Sequence, residues 1–224
     1  MKRVLIVNKN LFFSKKFLEN KKVKFFFITK KKELILTKIK KINPNIIFFP
    51  HWSSKIKDNI FKNFNCIGFH STPLPYGRGG SPIHNMVLKN FKKTQICAFK
   101  IEQGLDNGPI YLRNNLSLDG AGHEIFEKMY NQIVKMIKIL IKRLPMLKPQ
   151  KGVVTKFKRL SKNNSEIKKK IKLIDLYNLI RILDMRDDAY ENAFIRHKNL
   201  KISFKEAKIK GNTINAQVKI KTNS

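Results

Sequence analysis

Cysteine is nearly missing from this sequence: Cys66 and Cys97 are the only two in 224 residues. They are too few for a disulfide framework and fall in no metal-ligand spacing, so a reducing, cytoplasmic setting is expected. No His, Cys, Asp and Glu cluster suggests a metal site. Long apolar runs are also missing. The N-terminal run, Val4 to Val7, is too short for the hydrophobic core of a signal peptide. The best candidate for a membrane span, Ile133 to Ile141, is broken by Lys135 and Lys138, so no membrane partner is expected. Acidic residues are scarce, 15 against 48 basic ones, for a formal charge of +33. Arginine is scarce too: forty of the 48 basic residues are lysine. A phosphate-binding patch should be local and richer in Arg, whose planar fork grips phosphate in two places. Lysine spread along a chain crowded with Ile, Phe and Asn reads instead as whole-chain compositional drift, such as an AT-rich genome imposes. That reading argues against a dedicated nucleic-acid face, although such a field would still steer an anionic substrate.

What is present has an α/β rhythm. Val4–Val7, Val23–Ile28, Ile46–Phe49 and Cys66–Phe69 are short continuous apolar runs, as in strands buried on both faces. Helical spacing falls between them, over Glu33–Ile42 and Asp58–Phe64. Alternation in units of this length predicts a parallel-rich sheet with helices on its faces. A loop dense in Pro and Gly follows, Ser71 to Gly80, and Ser81-Pro82 opens the next helix with Ser as N-cap. Two strands are predicted over Thr94–Ile101 and Pro109–Leu118, then a long helix over His123–Leu144 with a stripe from Ile125 to Leu140. Composition shifts to a linker around Pro149–Gly152. This divides the chain into 1–150, the larger domain, and 151–224, a small C-terminal α+β unit. The latter has a helix over Ile171–Leu183 and strands over Ala193–Ile195, Lys201–Phe204 and Ile214–Ile220.

One constellation carries chemistry. His70 follows a buried strand run, and ligands of open parallel sheets collect beyond the carboxyl ends of strands. Arg78-Gly-Gly-Ser-Pro82 then leads into a helix, where free N–H groups and a fixed positive charge would favour an anion. Thirty-six residues past His70, Asp106 lies in the Gly-flanked turn Leu105-Asp-Asn-Gly-Pro109. An Asp beside a His fixes the imidazole tautomer. Taken singly, each is ordinary: a strand-end His is usually structural, and Asp-Asn-Gly is usually a turn.

The ordered set is not ordinary. Phe69-His-Ser-Thr-Pro-Leu-Pro-Tyr-Gly-Arg-Gly-Gly-Ser-Pro-Ile83, followed by Thr94 and Asp106-Asn-Gly108, resembles the signature of the formyltetrahydrofolate-dependent formyltransferases. The likeness is clear over Ile46–Leu118. It returns in the tail, where Phe157-Lys-Arg, Ser165-Glu-Ile, Ile180-Arg-Ile-Leu-Asp184 and Tyr190–Ile195 resemble the sugar-modifying branch. The resemblance implies a Rossmann-like formyltransferase sheet, with N10-formyltetrahydrofolate as co-substrate and no metal. It makes His70 the residue that polarises the formyl carbonyl. Asp106 then orients His70 and helps remove a proton from the attacking amine. Thr72, Pro73, Leu74 and Pro75 match the loop along the folate. Arg78, Gly79, Gly80 and Ser81, with Trp52, Tyr177 and Arg181, are candidates for binding the acceptor. One position departs from the pattern: the family carries Asn two residues before the His, and here that residue is Gly68.

The expected acceptor is the amine of a nucleotide-linked 4-amino-4,6-dideoxy sugar, destined for polysaccharide biosynthesis, because the tail looks too short for a tRNA enzyme. Methionyl-tRNA formylation is the second reading, supported by charge. A third is a non-catalytic folate or nucleotide-sugar binder, prompted by Gly68. A homodimer is compatible with the family.

Overall fold

A computed structural model describes residues 1–9, 12, 13, 17, 21–185 and 190–222. Contacts divide the chain into two compact units. The first holds residues 1–80, 95–116 and 129–157, and the second holds 81–94, 117–128 and 158–224.

The first unit is built on a six-stranded sheet. Its strands are β1 (Lys2–Val7), β2 (Val23–Ile28), β3 (Ile46–Phe49), β4 (Cys66–His70), β6 (Lys93–Lys100) and β7 (Ile110–Ser117), in the order β2-β1-β3-β4-β6-β7. β5 is the short Arg78–Gly79 strand between β4 and β6 in sequence. β2, β1, β3 and β4 run parallel; β6 turns antiparallel to β4, so the sheet is mixed, as α/β alternation with one hairpin requires. Every residue of β3 is buried, as are Val4 to Val7 of β1. That is why these segments read as continuous apolar runs: a strand covered on both faces has no polar alternate. On one face Leu5, Val7, Ile47, Phe49 and Cys66 pack with Ile39 of α1 (Leu36–Ile42) and Ile60 of α2 (Asp58–Phe61). Burying side chains of this size stabilises by about 1.5–3 kcal/mol each.

The chain leaves β1 toward β2 on one side and toward β3 on the other, so the sheet has a switch point between β1 and β3. Asn8, just past β1, ties the two strand ends by donating from Nδ2 to the Pro50 carbonyl. α1 is shorter than the predicted Glu33–Ile42 helix. Lys31–Glu33 form a 3-10 turn and Ile35 is extended, so the helix begins at Leu36. The long helix, α4 (Gly122–Lys142), buries Met129, Ile133, Met136, Ile137 and Leu140 within this unit, which matches the predicted stripe. Both cysteines are buried, and burial pushes the Cys66 thiol up to about 12 and raises that of Cys97 as well, which disfavours the thiolate.

The stretch read as a linker is structural. Residues 150–157 lie along the Pro75–Gly80 loop, and β8 (Lys156–Phe157) pairs in parallel with β5. Gly77 donates its N–H to Thr155 Oγ1 at 2.7 Å, Arg78 to the Thr155 carbonyl at 3.0 Å and Gly80 to the Phe157 carbonyl at 3.1 Å. Polar, Gly-flanked sequence reads as linker because a strand of two residues is too short to show a period.

The second unit holds α3 (Pro82–Leu88), α5 (Leu173–Leu183) and an antiparallel sheet ordered β11-β10-β9. Its strands are β9 (Phe194–His197), β10 (Leu200–Lys210) and β11 (Thr213–Thr222). The strands predicted over Lys201–Phe204 and Ile214–Ile220 form an antiparallel hairpin, each arm longer than predicted, with Gly211 at φ 54° in its turn. Ser81 does not cap α3 with its side chain. It sits at φ 47°, and its Oγ instead accepts the Leu160 N–H at 3.1 Å and meets the Tyr190 hydroxyl at 2.9 Å.

Arg181 of α5 is buried. Its guanidinium donates to the Leu118 and Gly120 carbonyls at 2.7 and 2.8 Å and to Asn178 Oδ1 at 2.8 Å. Tyr177 stands beside it, with the guanidinium carbon 5.5 Å from the ring centre. Removing the guanidinium leaves one buried and one part-buried carbonyl without this donor, at a cost of about 1–3 kcal/mol. Arg181→Met should therefore lower the urea midpoint with little change in the slope of the transition; an unchanged midpoint would show that the network is not stabilising. Among the described residues no helix is long and apolar enough to cross a membrane.

Candidate active site

The site forms at the carboxyl end of β4, wholly within the first unit. His70 is the last residue of that strand and is 6% exposed. Its Nδ1 lies 3.5 Å from Asp106 Oδ2, and its Nε2 lies 2.8 Å from the Gly77 carbonyl. Both ring nitrogens thus face oxygen acceptors. A neutral imidazole has one N–H, so in either tautomer one of these contacts is without its proton. Two residues 36 apart in sequence meet because the 101–109 connection, which leaves β6 opposite the amino-terminal end of β4, folds back and carries Asp106 to His70.

Asp106 occupies the left-handed region at φ 49°, where Asp and Asn are the non-glycine residues best tolerated. Its Oδ2 also accepts the Gly79 N–H at 2.9 Å. One carboxylate oxygen therefore faces both His70 and β5. Gly79 is needed there for two reasons: its φ is +110°, and a Cβ would stand 2.6 Å from the Phe157 carbonyl oxygen.

The loop residues expected along a folate have mostly inward side chains. Thr72 is 0% and Leu74 1% exposed, and Pro75 is also buried. Leu74 packs with Cys97, Phe99 and Ile110. Arg113 holds the loop from β7, donating to the Leu74 carbonyl at 2.6 Å. What this loop offers outward is its backbone and the half-buried Pro73.

Of the acceptor-binding candidates, Arg78 is not an unengaged positive charge. Its Nε and Nη2 donate to Gln150 Oε1 at 3.2 and 2.7 Å. Gly80 bonds β8, as described. Trp52 packs against the cluster around Leu5 and Ile47, and its buried Nε1 has no partner among the described residues. Ser81, Tyr177 and Arg181 belong to the second unit, where their contacts are those given above. Sequence reasoning missed Gln150 and Thr155 because a polar stretch near Gly152 carries no motif.

Gly68 is explained by its partner across the sheet. It pairs with Phe99 of β6, and a Cβ on it would lie 2.7 Å from Phe99 Cζ and 3.3 Å from Ile101 Cγ1. The aromatic ring fills the space where an Asn side chain at this position would stand. No group of three or more His, Cys, Asp and Glu able to hold a metal occurs among the described residues.

Comparison with known proteins then locates the chain. Residues 162–221 match the family model described as methionyl-tRNA formyltransferase, C-terminal domain. A solved methionyl-tRNA formyltransferase from Clostridium thermocellum is 36% identical, with a TM-score of 0.91 over 99% of this chain and 100% of that one. The methionyl-tRNA formyltransferase of Malacoplasma penetrans is 29% identical over 205 residues, covering 87% of this chain and 64% of the relative. One from Campylobacter jejuni covers 66% of this chain and 48% of the relative, so the chain spans about half to two thirds of the length of such curated relatives. A solved sugar N-formyltransferase from Shewanella shares the fold at 16% identity and a TM-score of 0.68.

These findings overturn two expectations. The tail motifs taken for the sugar-modifying branch fall largely within the segment that matches the tRNA enzymes' C-terminal domain. The nucleotide-linked amino sugar is therefore withdrawn as acceptor. The argument against a nucleic-acid partner is withdrawn with it. Chain length misled because a solved tRNA-type relative is no longer than this chain covers.

Proposed function

Because the chain belongs to the formyltransferase family, we propose that it transfers a formyl group from N10-formyltetrahydrofolate to the amino group of methionyl-tRNA. The observation that carries this reading is the likeness, at 36% identity over nearly the whole chain, to an enzyme of that name. The formal charge of +33 supports it, since a polyanion is drawn to such a chain over long range. A cytoplasmic setting goes with the reading.

The chemistry of the donor set fits a carrier that brings an already activated formyl group. Beside His70 stand a carboxylate, a backbone carbonyl and a Pro–Gly loop, and among the described residues no thiol or amine is hydrogen-bonded to either member of the pair. Nothing here calls for a covalent enzyme intermediate. In this reading His70 gives up the Gly77 carbonyl and donates to the formyl oxygen as negative charge grows on it. Asp106 holds the ring and takes the proton that the attacking amine loses. The new bond joins the amine nitrogen to the formyl carbon, the bond from that carbon to the carrier nitrogen breaks, and the proton held by Asp106 passes to that nitrogen as it leaves.

The test is direct. Purified protein with charged tRNA and the formyl donor should yield formyl-methionyl-tRNA, detected by mass after deacylation. Binding of the tRNA should weaken steeply as salt rises, because released counterions drive it. Lack of product with methionyl-tRNA, in a preparation that consumes the donor with another amine, would sink the assignment of acceptor.

A further inference from the structure

Gln150 has no part in the roles given so far, yet its side chain is bonded on every polar edge. Oε1 accepts from Arg78 Nε and Nη2, at 3.2 and 2.7 Å. Nε2 donates to the carbonyl oxygens of Asp106 and Gly108, at 2.8 and 2.9 Å. Two acceptor sites and two donors are all that a primary amide offers, and all four are used. The neighbours also fix which way the amide points, because a guanidinium can only donate and a carbonyl can only accept. No other side chain of this length fits. Glu would turn an oxygen toward two carbonyls, and Lys or Met would accept nothing from Arg78.

These bonds close a ring. Gln150 holds the backbone of Asp106, whose carboxylate bonds the Gly79 N–H, and Gly79 is bonded in sequence to Arg78, which returns to Gln150. Asp106 sits at φ 49°, a conformation that its surroundings have to hold. The carboxylate reaches His70 Nδ1 at 3.5 Å, a distance at which small rotations of the 104–108 turn decide whether a hydrogen bond forms.

We infer that Gln150 is a positioning residue: it clamps the turn at Asp106 and Gly108 against Arg78 and thereby sets the approach of the Asp106 carboxylate to His70. This rests on the reading of His70 and Asp106 as the formyl-transfer pair. The Gln150 side chain bonds Arg78, Asp106 and Gly108, and it acts on the reaction through Asp106.

The experiment reads His70 directly, without substrate. Nitrogen-15 spectra of the histidine rings are recorded for the wild type, Asp106→Asn, Gln150→Ala, Gln150→Glu and Lys151→Ala, with His70 assigned from His70→Ala. In both Gln150 variants the His70 ring signals should move toward those of Asp106→Asn, while Lys151→Ala superimposes on the wild type. In the formylation assay, Gln150→Ala should lower kcat about 10- to 100-fold, below the about 10²- to 10⁴-fold that an acid–base group itself contributes, with KM for both substrates within about threefold. In the Asp106→Asn background the same change should cost less than about threefold, because its target is already gone. Gln150→Glu keeps the side chain's volume and its bond to Arg78, so it carries the spectral test if Gln150→Ala folds poorly. Unmoved His70 signals in the Gln150 variants overturn the inference, as do losses that multiply fully in the double variant. If the wild type fails to formylate methionyl-tRNA, the acceptor assignment falls, and the ring spectra still decide the role of Gln150.

Discussion

Asp106→Asn is expected to lower the rate of formyl transfer by about 10²–10³, the range seen when one preorganised group at a developing charge is lost or misaligned. The substitution is chosen for its restraint. Asn tolerates the left-handed φ of 49° as well as Asp does, and its side-chain oxygen can still accept the Gly79 N–H. The fold should stay intact, and the charge beside His70 alone is removed. His70→Ala should cost at least as much, since it removes the donor itself along with the contact to the Gly77 carbonyl. Both variants should bind a folate analogue nearly as the wild type does, which a thermal-shift titration would read. Activity within threefold of wild type for both variants would mean that the reacting group lies elsewhere.

The second large effect concerns Gly68. Restoring the family's Asn by Gly68→Asn is expected to destabilise the protein and to leave the rate no higher. The Asn Cβ would lie 2.7 Å from the Phe99 ring, so the ring, only 6% exposed, must shift within a packed cluster. Overpacking of this kind costs about 1–3 kcal/mol. For a chain of this size each kcal/mol lowers Tm by about 2–4 °C. Phe99→Ala alone should cost about 3–5 kcal/mol by opening a cavity beside Leu74, Cys97 and Ile110. In the double variant the two losses should be less than additive, because Asn then occupies space that the ring has vacated. Thermal melts of the four proteins decide this. If Gly68→Asn melts with the wild type and works faster, Phe99 is not what excludes the amide.

These two predictions divide along the line between what the sequence shows and what it hides. His70 and Asp106 were legible from sequence because each sits in a rare, ordered setting: a strand end, a Pro–Gly loop and a Gly-flanked turn. The departure at Gly68 was legible too, as a missing side chain. Its explanation was not, because Phe99 lies 31 positions on and meets Gly68 only through the antiparallel register of β4 and β6. Gln150 and Thr155 were hidden for a related reason. Their bonds reach 42 to 78 positions back along the chain, and no local pattern marks a residue whose partners are backbone atoms elsewhere.

The acceptor shows a different failure. Tail motifs and chain length were read as signs of a sugar substrate, and comparison with whole proteins reversed that. Short similarities in the tail carried little information, since Arg181, the centre of one of them, serves its own unit's backbone.

By itself, then, the sequence determined the alternation of buried strands and amphipathic helices, the antiparallel hairpins and the pair at the end of β4. It could do so because burial on two faces, helical period and turn chemistry are local and leave a mark at each position. The tertiary structure alone decided how that pair is held. It set the aromatic ring over Gly68, the turn of Arg78 toward Gln150 and the closing of residues 150–157 over the Pro75–Gly80 loop. Those are pairings between distant segments, and they exist only once the register of the sheet has brought donor and acceptor within 3 Å or so of each other.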